Sequence, residues 1–427
     1  MVGTGETGLS MADEGTAQTT DTAEIPAAQA PPADGIRGRL DRGGRRLRSG
    51  DLGSAPIIVG LLLIVVIFQY AAPTFLSSSN LVSLASQISS TGIIAVGVVL
   101  MLLLGEIDLS VGSVSGASAA ILAVSNVKNG MSAGTAIALA LGIGALIGLL
   151  HGLVFIKFGV PSFVVTLAGL LVWLGVQRRV LASTGTINLP RNGWLLNVGQ
   201  FKYFGYAGAG IIALLLVGMY LFSAVATRQQ RVAAGLRAHS MGGIVAQAAG
   251  IAAVSGLVIY ALCQDLGVPW IFVFFLALVV LTDWVLRRTS YGRYVFAIGG
   301  NIEAARRSGI RVDTIRCSVF VLCSLLAATG GVVEAMRAGS AGRDTGTGDV
   351  LINAIAAAVI GGTSLFGGRT RRYAALLGIL VIGSIPNGLN LLNLSDDLRF
   401  IITGSVLIAA VVVDALSHRG REASGAG

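Results

Sequence analysis

The chain has few charged side chains and few residues of the kinds that enzymes use for catalysis. Only 12% of its 427 residues are Asp, Glu, Lys or Arg, against roughly 25% in typical soluble domains. Its three histidines and three cysteines are too dispersed for a metal site or for a catalytic set of His with Ser, Cys or a carboxylate. Cys263, Cys317 and Cys323 lie at or inside apolar segments, which predicts buried free thiols. The composition therefore favours neither an enzyme nor a metalloprotein, and no cofactor is expected.

The sequence also lacks the G-x-x-x-x-G-K-[ST] loop with which P-loop enzymes bind ATP. Its lysines are Lys128, Lys157 and Lys202, and none of them stands in such a loop. The chain therefore cannot hydrolyse ATP through a P-loop. If ATP drives its activity, the energy must come from a separate subunit.

Long apolar runs take the place of the missing charges. Hydrophobic residues make up 54% of the chain, and apolar runs of about 17 to 25 residues can cross the hydrocarbon core as helices. They do not alternate residue by residue, which excludes a membrane barrel. The pattern predicts an all-α polytopic transmembrane bundle of roughly 12 spans, within a range of about 10 to 12. The predicted spans cover residues 57–72, 92–104, 111–127, 133–156, 163–181, 208–226, 245–262, 270–286, 317–336, 350–365, 373–392 and 400–416.

Composition and charge divide the chain into three parts. The first 50 residues are rich in Ala, Thr, Gly, Pro and acidic residues and poor in aromatic ones, which predicts a disordered segment at 1–50. Six arginines between Arg37 and Arg48 precede the first predicted span, and the positive-inside rule places them in the cytoplasm. We therefore expect both termini to be cytoplasmic, with a membrane domain at 51–418 and a short tail at 419–427.

The formal net charge of +9 follows the same positive-inside pattern. Counting spans from a cytoplasmic N-terminus places Lys157 and the loops 228–237, 287–316 and 369–372 inside, and Gln264 outside. Nucleic-acid binding would require a soluble basic domain, and the sequence predicts none. The expected surroundings are a lipid bilayer, with no nucleic-acid partner.

The segment 287–316 is polar enough to stay outside the bilayer and carries the signals for both ends of a short helix. Asn301 can cap the first free amides, and Gly309 can adopt the left-handed conformation that ends a helix. We predict about two helical turns between them, which are marginal in water alone. The apolar side chains of this helix are therefore expected to dock on a partner protein. Those side chains are Ile302, Ala305 and Ile310.

The predicted contact with the partner uses the capping, charged and helix-forming residues of this segment. They are Asn301, Glu303, Ala304, Ala305, Arg306, Arg307 and Gly309. Glu303 suits the N-terminal end of the helix dipole, and the two arginines suit its C-terminal end. The other interpretation is an ordinary solvated loop between two spans, since polar connectors are the rule.

Two carboxylates interrupt the apolar pattern in GEIDLSVGS at 105–113. Charges at this depth are costly unless they face water or protein. Asp108 can cap the helix that follows, which would make the motif structural. In the other interpretation, Asp108 and Ser110 shape the gate of a pathway or transmit movement from the cytoplasmic side.

A third motif, AIAAAVIGGTSLFGGRTRRY at 354–373, contains glycines that break the helix near the cytoplasmic face. Irregular backbone at membrane depth is tolerated only where protein or water surrounds it. Asn353, Asn387 and Asn390 lie in or beside nearby spans and could hydrogen-bond the hydroxyls of a neutral solute. Alternatively, such asparagines tie helices together.

Together with NGLNLL at 387–392, these motifs resemble the membrane subunits of bacterial ATP-binding-cassette importers for monosaccharides. The similarity extends from residue 57 to residue 416. Glu106 and an extra hydrophobic pair at 208–262 resemble the D-xylose permeases more than the ribose type. One departure is Gly348-Asp349-Val350, where the family pattern has glycine, an aromatic residue and glutamate.

The resemblance implies a function and a set of partners. It implies that residues 300–309 form the coupling helix received by ATP-binding-cassette ATPase subunits, and that the permease works as a homodimer. It further implies an external sugar-binding protein, a neutral pentose such as D-xylose as cargo, and a multi-pass location in the bacterial inner or plasma membrane.

The rival interpretation is an ion- or proton-coupled secondary transporter. Such a protein would carry coupling carboxylates near the bilayer midplane. Asp283 and Glu334 are the nearest candidates, although both stand close to the ends of predicted spans. A membrane enzyme lacks a visible catalytic set, and a purely structural membrane protein is the remaining alternative.

Overall fold

The computed structural model describes Gly3 and residues 55–236, 238, 240–395, 397–398, 401–405 and 408. Apart from Gly3, the predicted disordered segment 1–50 and the predicted tail 419–427 lie outside the described residues. From residue 55 onward, the described residues belong to one compact unit, Leu52–Gly427. Residues 401–405, within the last predicted span, are helical.

The described residues form fourteen α-helices, numbered here in chain order. They are α1 Ala55–Ala71, α2 Ser78–Leu103, α3 Val111–Ala123, α4 Ala133–Phe158, α5 Ser162–Leu181, α6 Trp194–Leu196, α7 Tyr206–Ala233, α8 Met241–Cys263, α9 Trp270–Arg288, α10 Ser290–Gly300, α11 Ile302–Arg307, α12 Val312–Ala338, α13 Val350–Ile360 and α14 Ala374–Leu391. A π-helical turn, Val124–Lys128, extends α3.

Short strands join helices at one end of the bundle, which we call the strand end. β1 Thr186–Asn188 pairs antiparallel with β4 Ser340–Gly342, and β2 Tyr203–Phe204 pairs antiparallel with β3 Val268–Pro269. The opposite end, which we call the loop end, carries the α2–α3 turn, the helices α10 and α11, and the loop 361–373.

Within the described residues, eight helices are long and apolar enough to cross a membrane. They are α2, α4, α5, α7, α8, α9, α12 and α14. This confirms the predicted all-α polytopic class. The apolar helices α1 and α13 have only 17 and 11 residues, and α3 has 13, so helix length alone does not decide the predicted 10 to 12 spans.

Local capping residues explain where several helices begin and end. The Ser77 side chain accepts a hydrogen bond of 3.4 Å from the Asn80 amide, so α2 starts well before residue 92, where its span was predicted to begin. The Ser132 hydroxyl caps α4 through the Thr135 amide at 3.3 Å. Gly159 then ends α4 in the left-handed conformation, with φ +63°.

The centre of the bundle is formed by α12, which packs along α4, α2 and α3. All 13 residues of α3 are buried. Glycines allow these backbones to touch: a Cβ on Gly148 of α4 would lie 2.5 Å from the Phe320 carbonyl oxygen of α12. Close packing through small residues is therefore present where α4 crosses α12.

The helices α7 and α8 form a peripheral pair that packs mainly against itself. Only Ala209 of α7 and Ile244, Ala248 and Leu262 of α8 are buried within the described residues of these two helices. Their remaining apolar residues are exposed or half-buried, which suits a lipid environment. This pair corresponds to the extra hydrophobic segment predicted at 208–262.

Candidate functional site

A polar cavity of 640 Å³ lies at the strand end, between α2, α12 and the segment that joins β4 to α13. We call it the polar cleft. Its volume falls in the range of about 300 to 1,000 Å³ that is typical of small-molecule sites. Hydroxyl, amide and charged side chains line it, among them Ser90, Glu334, Arg337, Asp344, Asn353 and Asn390.

Two of the charged side chains of the polar cleft, Glu334 and Arg337, are paired with each other, and the carboxylates of Asp344 and Asp349 also line it. Arg337 donates from Nε to Glu334 Oε2 at 2.9 Å and from Nη2 to Glu334 Oε1 at 2.6 Å. Ser90 of α2 donates its hydroxyl to the same Oε2 at 2.7 Å. The pair stands at i and i+3 on α12, which brings the two side chains to one face. The cleft therefore offers hydrogen-bonding groups with little uncompensated charge from this pair.

Two of the predicted pathway residues line the polar cleft. They are Asn353 and Asn390. The Asn353 side-chain amide donates to Asp349 Oδ2 at 2.9 Å, and both residues line the cleft. The structure thus brings together one residue from the start of α13 and one from the end of α14.

The other predicted pathway residues are buried elsewhere. Asn387 exchanges hydrogen bonds with Asn80. Asp108 Oδ1 accepts from the Ser110 amide at 2.8 Å and from the Ser110 hydroxyl at 2.6 Å. This arrangement braces the turn in front of α3. A pathway or gate role for Asp108, Ser110 and Asn387 stays a prediction, since the cleft is lined by other residues.

Sequence reasoning missed Ser90 and Arg337, and it considered Glu334 only as an ion-coupling candidate. A signal was present: Glu334 and Arg337 are opposite charges three residues apart at the end of an apolar span. The rival coupling candidate Asp283 is also paired, with Arg287 of its own helix at 2.8 Å. Both carboxylates therefore have a cationic partner in this conformation.

At the loop end, α11 has the predicted caps. Asn301 Oδ1 accepts from the Ala304 amide at 2.9 Å, and Gly309 has φ +80°. The helix spans six residues, Ile302–Arg307. Glu303 and Arg306 form an exposed pair at 3.4 Å, which contributes little to stability because solvent screens it.

The apolar face of α11, which the sequence predicted to dock on a partner protein, is at least partly covered by this chain. Ala305 is buried, and Ile302 and Ile310 pack against the same core of this chain. Burial of these apolar side chains against the core of the same chain is favourable without any partner protein. The exposed residues of this segment are mostly polar. Among the predicted contact residues they are Asn301, Glu303, Ala304, Arg306, Arg307 and Gly309.

Two of the sequence motifs meet the end of α2, backbone to backbone, beside α11. The Gly368 amide donates to the Leu103 carbonyl oxygen at 2.9 Å. A Cβ on Gly299 would lie within 2.7 Å of the Gly368 nitrogen and still closer to the Leu103 oxygen, so only glycine fits there. We call this contact of Leu103, Gly299 and Gly368 the loop junction.

A side-chain ion pair accompanies the loop junction. Arg316 of α12 donates to Glu106 of the α2–α3 turn at 2.5 Å, and the Arg316 guanidinium carbon stands 4.7 Å from the centre of the Phe155 ring of α4. The exposed fractions of the Arg316 and Glu106 side chains are 18% and 12%.

Among the described residues, no group of three or more His, Cys, Asp or Glu side chains could hold a metal ion.

The helices, the polar cleft and the exposed arginine-bearing helix at the other end define a polytopic membrane protein with the architecture of a transport permease. The family described as the branched-chain amino acid transport system / permease component matches residues 80–411. The chain therefore belongs to this permease family.

Curated relatives match most of the chain. The xylose transport system permease protein XylH of Haemophilus influenzae is 32% identical over 370 residues, which cover 86% of this chain and 98% of the relative. XylH of Escherichia coli K12 is 32% identical over 374 residues, covering 87% and 94%. The ribose import permease protein RbsC of Escherichia coli K12 is 34% identical over 361 residues, covering 84% and 92%.

These relatives confirm the resemblance to the membrane subunits of monosaccharide importers that the four motifs indicated. The two kinds of relative differ little in identity, so they do not choose between xylose and ribose. No solved structure matches the chain.

Proposed function

We propose that this chain is the membrane-spanning permease subunit of an ATP-driven importer, and that it carries a neutral monosaccharide, a pentose such as D-xylose. The observation that carries the proposal is the polar cleft, whose charged pair Glu334 and Arg337 is internally satisfied. A neutral sugar needs hydrogen-bond partners and no counter-ion. The relatives named for xylose and ribose support the same class of cargo.

The cleft provides donors and acceptors at modest strength. Asn353 and Asn390 offer amides, Ser90 offers a hydroxyl, and the Glu334–Arg337 pair offers a polar but nearly neutral surface. A pathway must bind its cargo well enough for entry and weakly enough for release. High-affinity recognition is therefore assigned to a separate external sugar-binding protein, which delivers the sugar to the strand end.

The energy is assigned to separate ATPase subunits that contact the loop end. The chain contains no P-loop, and α11 presents an exposed polar surface rather than an apolar one. Charged and polar groups suit an interface that must form and move repeatedly. We propose that this helix forms the contact, as the resemblance implies, through Asn301, Glu303, Ala304, Ala305, Arg306, Arg307 and Gly309, of which Ala305 is buried beneath the others.

Topology and assembly complete the proposal. We propose about 12 spans in a bacterial inner or plasma membrane, with the loop end and both termini in the cytoplasm, because arginine-rich loops stay on that side. In this arrangement α1, α3 and α13 cross with their flanking turns. Two copies of the chain form the permease, as the resemblance implies.

The test is reconstitution of the chain in vesicles with its ATPase and its external sugar-binding protein. ATP-dependent D-xylose uptake that exceeds ribose uptake is the expected result, and it should persist when the proton gradient is collapsed. Sugar uptake without ATPase and receptor, driven by a proton gradient, would instead establish a secondary transporter. Faster ribose uptake would keep the importer and change its cargo.

A further inference from the structure

Two side-chain links join α12 to α2 and to the turn that follows α2. At the loop end, Arg316 at the start of α12 binds Glu106, which follows α2. At the polar cleft, Ser90 of α2 donates to Glu334 of α12 at 2.7 Å. Arg316 and Glu334 are 18 residues apart on α12, which corresponds to about 27 Å along a helix. One pair of helices thus connects the loop end to the cleft.

Between these two links the helices are packed too closely to slide independently. A Cβ on Gly97 of α2 would lie 3.0 Å from the Cys323 carbonyl oxygen of α12. A Cβ on Gly330 of α12 would lie 2.8 Å from the Ser90 carbonyl oxygen of α2. Close-packed interiors transmit displacement because they deform little. The two helices therefore have the properties of a single rigid body.

The loop end of this body is held by α10 and α11. Gly299, the penultimate residue of α10, touches the Leu103 carbonyl of α2 through the loop junction. The segment after α11 leads directly into α12, and α12 carries Arg316 near its start. A displacement of α11 therefore reaches α2 through the Leu103 backbone and α12 through the chain itself. The ion pair of Glu106 and Arg316 connects the end of α2 to the start of α12, and so links the two routes.

The ion pair suits this task because it is partly buried and directional. Both side chains are less than one-fifth exposed, so removal of one partner leaves a charge that solvent compensates poorly. The Phe155 ring covers the guanidinium and limits its movement. The partners come from segments 210 residues apart, so the bond serves tertiary structure and not local helix formation.

We infer that Glu106 and Arg316 are positioning residues that couple α11 to the polar cleft, by holding α2 and α12 together as one lever. The inference rests on the proposed function, because it assigns a route to the movement that the ATPase subunits impose. When α11 is displaced, the lever moves Ser90 and Glu334 relative to the segment 340–350. The cleft then changes its access to the outside.

The matched control is the ion pair of Asp283 and Arg287. It has a similar distance of 2.8 Å, and both partners stand on α9, so this ion pair joins no two helices. Arg287 also donates to the Thr370 carbonyl oxygen at 3.4 Å. Glu106→Gln removes the charge of the proposed link with little change in shape, and Asp283→Asn does the same to the control. The charge-reversed double variant Glu106→Arg with Arg316→Glu tests whether an ion pair of opposite polarity restores the link.

The experiment measures thiol labelling in the assembled complex. Thr91, which lines the cleft, is replaced by Cys in a chain whose three native cysteines are replaced by Ala, and the complex with its ATPase is reconstituted in vesicles. An impermeant maleimide is applied outside, with and without ATP and vanadate. We expect nucleotide to change the labelling rate about tenfold, as typical coupling energies imply. The change should remain in Asp283→Asn and disappear in Glu106→Gln.

The control readouts separate coupling from assembly. Binding of the ATPase and its basal turnover should be the same in Glu106→Gln as in the unmodified chain, while sugar transported per ATP should fall about tenfold. The double variant should recover part of both losses. If Glu106→Gln does not assemble, the double variant carries the test, because recovery of assembly and of nucleotide-dependent labelling requires the pair itself.

Failure of this inference can be distinguished from failure of the proposed function. The labelling assay needs no sugar. A nucleotide-dependent change in labelling without any monosaccharide uptake would therefore contradict the proposed cargo and leave the inference about α2 and α12 standing. An unchanged response in Glu106→Gln overturns the lever while the transport assay still stands. Absence of any nucleotide effect in the unmodified complex, or an equal loss in Asp283→Asn, also overturns it.

Discussion

Asn80 and Asn387 exchange a reciprocal pair of side-chain hydrogen bonds, at 2.9 Å and 3.2 Å, in the buried contact between α2 and α14. Asn80 also donates to the Phe75 carbonyl oxygen at 2.8 Å. Both side chains are buried. Of the two roles that sequence allowed for Asn387, the geometry of this pair is that of a tie between helices.

The first prediction follows from that pair. Asn387→Ala leaves Asn80 with an unsatisfied amide oxygen in a buried site, and we expect it to destabilise the chain by about 1 to 3 kcal/mol. Thermal unfolding of the purified chain in detergent measures the loss. Asn390→Ala is the control: Asn390 is exposed in the polar cleft, so it should alter uptake with little change in unfolding. Equal stability of Asn387→Ala and the unmodified chain would contradict the tie.

A second prediction concerns the charge balance of the polar cleft. Glu334→Gln leaves the Arg337 guanidinium without its carboxylate, although the Ser90 hydroxyl keeps an acceptor. An unpaired, partly buried charge is costly, so D-xylose uptake should fall by about tenfold, which corresponds to about 1.4 kcal/mol. Radiolabelled sugar uptake in vesicles is the measurement, with Asp283→Asn as control. A proton-coupled transporter would respond to Asp283→Asn as strongly.

A third prediction tests the cap of α11. Asn301→Ala removes the acceptor for the Ala304 amide and should destabilise this short helix by about 0.5 to 2 kcal/mol. The expected result is weaker sugar-stimulated ATP turnover with normal membrane insertion. Asn301→Asp keeps an N-cap acceptor and should retain most of the turnover. Equal turnover in Asn301→Ala and the unmodified complex would argue that α11 is an ordinary connector.

A fourth prediction uses two neighbouring glycines of α10. A Cβ on Gly299 would overlap the Leu103 carbonyl oxygen, whereas a Cβ on Gly300 would meet nothing within 4 Å. We therefore expect Gly299→Ala to cost about 1 to 3 kcal/mol, as overpacking does, and to reduce uptake. Gly300→Ala should behave like the unmodified chain in both unfolding and uptake assays. Comparable behaviour of the two variants would mean that the loop junction is open in the assembled protein.

The fifth prediction concerns orientation in the membrane. In a chain without native cysteines, single cysteines at Leu236, Asn301 and Arg371 should be protected from an impermeant reagent applied outside the cell. A cysteine at Gln264 should react with it. These expectations follow from the positive-inside rule. Labelling of position 301 from outside would reverse the proposed topology.

Features that depend on a few neighbouring residues could be predicted from the sequence. The caps of α11 belong to this group, because Asn301 reaches an amide only three residues away. The helical class also belongs to this group, because an apolar run that crosses a bilayer must satisfy its backbone hydrogen bonds internally, as a helix does. What covers the apolar face of α11 could not be predicted from the sequence. The pattern predicts that Ala305 is buried, but it does not show which residues bury it.

The sequence by itself determined that this is a helical membrane protein and where its polar loops and motifs lie. It did not determine which face of each span points inward, because lipid-facing and core-facing side chains are equally apolar and leave no contrast in hydropathy. Only the tertiary structure placed Ser90 against Glu334, 244 residues further along the chain, and Glu106 against Arg316. These contacts depend on the rotation and depth of α2 relative to α12, which the packing of opposing glycine backbones decides.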